Sequence, residues 1–157
     1  MLPSLLAIAL CTGDPSTWVP EMLRQLPTYI NRAQQQSRAR RTPPLGNVIL
    51  TTRAEFEPLP LPTGSALAAP QQPNPTRQVF FSSLSRVYSP PRHAGLVQGF
   101  HWLFLAPGEP GWQFVSLYSR WGAYPRGDQP VSERQEDSQG SVGLGVQQWL
   151  RDCRSAP

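Results

Sequence analysis

Few side chains in this 157-residue chain combine a type and a spacing that could do chemistry. His101 lies between Phe100 and Trp102, and an imidazole there could act as a general base. That role needs a nucleophile or an orienting acid, and no neighbour in sequence supplies either. The competing expectation is a hydrogen-bonded histidine of the core or of a sheet edge. The second histidine, His93, stands between Pro91 and Gly95 and reads as loop. Glu55 and Glu57 are two apart, so an extended backbone would put both carboxylates on one side. A glycosidase takes its pair from facing elements across a sugar, so a solvated strand end is the expected role.

The composition removes other chemistries. All 14 basic residues are arginine, so no Schiff-base lysine, phosphate-loop lysine or lysine base exists. No G-x-S-x-G elbow, H-E-x-x-H helix or EF-hand loop is present. Two cysteines and two histidines at these spacings make no metal set, and neither a metal nor a cofactor is expected. The net charge of +4 permits attraction to anionic surfaces without demanding it. Arg38, Arg40 and Arg41 read as a cationic cap on a helix C-terminus. No nucleic-acid module signature accompanies them, and a nucleic-acid partner is not expected.

The cysteines, Cys11 and Cys153, stand near the two ends and form no C-x-x-C pair. A disulfide joining the termini is the expectation. The alternative is two unpaired thiols, one in a removed leader and one packed as a small hydrophobe. Residues 1–10 bear on this. Leu2 to Leu10 is almost wholly apolar, and Ala7-Ile8-Ala9 reads as a signal-peptidase site because only small side chains fit there. The run is short and has no basic residue ahead of it. Either a longer leader precedes it or it is a buried N-terminal segment. It is too short to span a bilayer, and export to an oxidising compartment is the reading taken.

Asp14 to Arg41 reads as helical, with Trp18, Met22, Leu26, Ile30 and Ala33 on one face. Ser16 or Thr17 is its expected N-cap, and Pro27 predicts a kink or brief break. Asn47 to Arg53 and Gln78 to Tyr88 read as strands. Between them the 54–77 stretch carries six prolines and reads as a long loop. Leu96–Leu105 and Trp112–Trp121 flank Ala106–Gly111 as a hairpin. Phe100, Trp102 and Phe104 would share one face with Trp112, Phe114 and Tyr118, an aromatic stripe expected to be core. Gly122–Gln139 reads as loop. Ser141–Cys153 closes the chain as a helix whose stripe is Val142, Val146, Trp149, Leu150 and Cys153, with Gly143 and Gly145 as its weak points.

These readings give a single α+β domain over 11–157. An antiparallel sheet of about four strands would carry the N- and C-terminal helices on one face. The candidate binding surface is Arg120, Trp121, Tyr124 and Arg126, the residue types that dominate hot spots. Aromatics packed beneath the terminal helix are the competing reading.

Five stretches, TTRAEFEPLPLP (51–62), RQVFFSSLSRVY (77–88), FHWLFLAP (100–107), GWQFVSLYSRWGAYP (111–125) and SQGSVGLGVQQWLRDCR (138–154), resemble an uncharacterised family of small exported cyanobacterial proteins. The resemblance implies a periplasmic or thylakoid-lumen protein and supplies no activity, ligand or site residue. The leading expectation is a non-catalytic module engaging another envelope or lumenal protein, or an envelope surface. The alternatives are a small-ligand carrier using the concave face of a curved sheet, with His101 near its mouth, and an enzyme of unrecognised type using His101.

Overall fold

The computed structural model describes residues 11–36, 46–57, 76–87, 95–125 and 130–155. The candidate leader, Arg38, Arg40, Arg41, His93, Arg126 and most of the Pro-rich stretch lie outside them.

Helix α1 runs from Pro15 to Gln34, and its expected apolar face is buried from Trp18 to Ala33. It starts earlier than Ser16 or Thr17. Asp14 is the N-cap, accepting from the Ser16 N–H at 2.9 Å, and Pro15 stands where a missing N–H costs nothing. That bond, joined by one from the Ser16 hydroxyl and by Arg77, holds the Asp14 carboxyl below its ordinary pKa. Of the kink or brief break expected at Pro27, the break is absent, and the helix continues through both Pro20 and Pro27. Proline has no N–H for the carbonyl four residues back, here that of Leu23. The Thr51 hydroxyl donates to the Leu23 carbonyl instead, so the missing helix bond is replaced from a neighbouring strand.

Six strands are found among the described residues where about four were expected: β1 (Asn47–Thr51), β2 (Glu55–Phe56), β3 (Arg77–Val87), β4 (Gly95–Ala106), β5 (Gln113–Tyr124) and β6 (Gln135–Glu136). The additional two are pairs of residues, too short to show any periodicity. All ladders are antiparallel in the order β1-β3-β4-β5-β6, with β2 also on β3. β5 extends three residues past Trp121. The edge strand β1 is held by α1: the Asn31 amide accepts from Val48 N–H at 2.8 Å and donates to Val48 C=O at 3.0 Å. A side chain thereby takes the place of a further strand.

Helix α2 runs from Ser141 to Ser155 and buries Val142, Val146, Trp149 and Leu150. Trp149 stacks on Trp18 with ring centroids 5.8 Å apart. Gly145 is a helix weak point only in isolation. A Cβ there would meet the Ile30 side chain at 3.0 Å and its backbone nitrogen at 3.1 Å, so the helix crossing depends on its absence. Cys11 and Cys153 form the expected disulfide, with Cα atoms 6.2 Å apart.

One core unites both helices with Val79, Phe81, Leu103, Leu105 and Leu117 from the inner face of the sheet. The aromatic stripe expected to be core therefore does not line this core on β4. Phe100, Trp102 and Phe104 alternate with His101, Leu103 and Leu105 and lie half-buried on the opposite face. The second arm splits as well. Leu105 pairs with Phe114 and Phe104 with Ser116, leaving Val115 as an extra residue. This bulge turns Phe114 toward the core and Tyr118 toward the outer face.

Candidate functional site on the outer face of the sheet

His101 lies on the inner face and is fully buried. Its Nε2 is 2.8 Å from the Ser83 hydroxyl on β3, and its Nδ1 is 2.8 Å from the Ser119 hydroxyl on β5. A neutral imidazole has one donor and one acceptor nitrogen, so two hydroxyls satisfy it without a carboxylate. Burial pushes its pKa down to about 3. The ring reaches Ser83 by leaning over Gly99, where a Cβ would come within 2.7 Å of Nε2. Phe81 and Trp121 close around it at centroid distances of 4.9 and 5.2 Å. His101 thus ties three strands together inside the core. Both alternatives that employ it, carrier mouth and catalytic base, need it at a cavity wall.

The four residues of the candidate binding surface do not share one face. Arg120 lies on the outer face, and Trp121, its neighbour, turns inward against His101. Tyr124 is outward and 48 % exposed. Arg126 falls outside the described residues. Glu55 and Glu57 do not act as a pair: Glu57 turns to Arg77, while Glu55 is exposed on β2.

The outer face carries its own arrangement. The register sets Phe80, Trp102 and Tyr118 in one row across β3, β4 and β5, with Phe100 and Arg120 paired in the next. Phe80 and Trp102 rings lie 5.1 Å apart, and Phe104 meets Tyr118 edge-on at 6.0 Å. The segment after β5 raises a wall over this floor. Ser132 anchors it with three bonds: its N–H to Trp121 C=O at 2.8 Å, its hydroxyl accepting from Trp121 N–H at 2.9 Å, and its carbonyl accepting from Arg120 Nε at 2.9 Å. Pro130 and Val131 then close one side of a groove of about 380 Å³ over Phe80, Phe100, Trp102 and Arg120. The Arg134 guanidinium caps the Trp102 ring at 4.2 Å.

Beside the groove lies a depression of about 230 Å³ among Leu50, Thr52, Ser82, Ser83, Leu84, Gln98 and Tyr124. Elsewhere, a polar crevice of about 220 Å³ runs between the helices, lined by Tyr29, Arg32, Gln36, Gln147, Gln148 and Arg151 among others. Among the described residues no cluster of three metal-ligating side chains is found, and no helix is long and apolar enough to cross a membrane.

Of the four expected surface residues, Arg120 lines the groove and Tyr124 the adjoining depression. The sequence does not single out Phe80, Pro130, Val131 and Arg134, because only the strand register and the Ser132 anchor bring them to the same place. Period-two alternation around His101 was the signal that separated the two faces. No family profile, curated protein or solved structure matches the chain.

Proposed function

We propose that this chain is an exported, non-catalytic binding module whose docking surface is the outer face of its sheet. The observation that carries the reading is the aromatic groove with Arg120 at its side, on a face that neither helix covers. A concave, mostly apolar site with a few placed polar groups is the usual form of a binding site. Among the described residues the inner face is instead filled by buried side chains up to His101. The Cys11–Cys153 bridge supports placement in an oxidising compartment, the periplasm or the thylakoid lumen, and hence a partner in the envelope or lumen.

Affinity capture from the native envelope fraction, with recovered proteins and lipids both identified, tests this reading. Trp102→Ala and Val131→Glu are each expected to lower recovery of the specific partner at least tenfold. Gln148→Ala, in the crevice between the helices, should leave recovery unchanged. Equal recovery by wild type and both groove variants would remove the outer face as the site.

A further inference from the structure

Resting on the outer face being the binding face, we propose that its occupant is a long-chain carboxylate, with the hydrocarbon lying along β4 and the head group on Arg120. Shape, charge and backbone each bear on this. The groove and the adjoining depression lie on one face between the Trp102 row and the Leu96–Tyr124 row, six residues apart on β4. At a strand rise of about 3.3 Å per residue that path is roughly 20 Å long, of which about 13 Å runs from the Phe100–Arg120 row to the Leu96–Tyr124 row, a shape for a chain rather than for a compact ligand. Its floor carries Trp102, Phe100, Leu84 and Leu50, with the uncharged polar side chains of Ser82, Gln98 and Thr52 between and beside them.

The charge has one sign. No carboxylate lines the groove among the described residues, whereas Arg120 does, and Arg134 lies beside it on Trp102. Glu136, at the end of the Phe80–Trp102–Tyr118 row, turns its carboxylate to the Ser138 N–H. Arg120 donates Nε to Ser132, which fixes the guanidinium at the wall, and a planar fork so placed suits a carboxylate.

The backbone separates a hydrocarbon chain from a peptide. β4 is paired on both sides along its length, so the centre of the floor presents no unpaired N–H or C=O to an incoming strand. An extended peptide laid there would leave its own amides unpaired against an apolar surface, which is costly, and an alkyl chain has none to pair.

Isothermal titration of the full chain with sodium laurate below its micelle concentration tests the proposal. Saturable binding of one laurate per chain is expected. Arg120→Met, which keeps the apolar stem, should weaken laurate at least tenfold and leave 1-dodecanol unchanged. Val131→Glu should abolish laurate binding, with circular dichroism confirming that each variant is folded. No saturable binding, or equal laurate affinity in Arg120→Met, overturns the carboxylate assignment. If envelope capture still depends on Trp102 in that case, the outer-face reading stands and its occupant is a protein. Loss of both results removes the reading itself.

Discussion

Replacing both Cys11 and Cys153 with serine is expected to lower the unfolding free energy by about 3–5 kcal/mol. The two residues are 142 positions apart, so the bridge closes almost the whole chain into one loop. In the chain-entropy account a loop of that size is worth roughly 5 kcal/mol, and strain or residual unfolded structure lowers the return. For a chain of this length the midpoint should fall on the order of 10 °C.

The effect has a local side. Trp112 N–H donates to Cys11 C=O at 3.3 Å, the Trp112 indole to Gly13 C=O at 2.9 Å, and Arg154 to Trp112 C=O at 3.1 Å. The bridge therefore gathers the start of α1, the β4–β5 hairpin and the end of α2 at one point. In the serine variant the Trp112 amide should be among the first to lose hydrogen-exchange protection. Urea denaturation is the check, and a loss under 1 kcal/mol would show that the knot holds without the sulfur bond.

Acid should destabilise the protein well above the carboxylate range, through His101. Its folded pKa is about 3 against an ordinary 6.5, so between those values the unfolded chain binds a proton that the folded chain refuses. Stability is full above pH 6.5 and declines as pH falls toward 3. The slope approaches about 1.4 kcal/mol per pH unit below 6.5, so pH 5 costs about 2 kcal/mol relative to pH 7. Asp14 and Glu21 have lowered pKa values, Asp14 chiefly through the Ser16 N–H and Glu21 chiefly through Arg24. They add their own losses only as pH drops below their ordinary values of 3.8 and 4.5. His101→Gln retains hydrogen-bonding groups for Ser83 and Ser119 but cannot take the proton. Its stability should be lower at pH 7 and nearly flat between pH 7 and pH 5. Parallel slopes for wild type and variant would show that His101 is not the group that titrates.

Much of this architecture was legible wherever a long periodic segment met a buried face. Trp18, Met22, Leu26, Ile30 and Ala33 are buried on α1 as their spacing implied. The hairpin around Ala106–Gly111 joins β4 to β5. Failures came where a distant residue changes the local rule. The Thr51 hydroxyl serves the Leu23 carbonyl and lets α1 continue through Pro27. Ile30 makes Gly145 an asset. One extra residue, Val115, separates Phe114 from Tyr118, which a strict alternation puts together.

The site was harder to read for the same reason. Arg120 and Trp121 are adjacent in sequence, so on a strand they must part company. Arg120 joined Phe80, Phe100 and Trp102 from two other strands, and its wall came from Pro130 and Val131. Large rings are usually buried, which points the β4 aromatics to the core. The layer that the helices cover is instead built from His101, Leu103 and Leu105.

Binding through the outer face of the sheet, as proposed, places the partner against the groove wall. A photoreactive residue in place of Val131, on the groove wall, tests it against the same residue in place of Gln148, in the helix crevice. After irradiation in the native envelope fraction, the account predicts a discrete adduct from position 131 and none from position 148. An adduct from position 148 alone would contradict it.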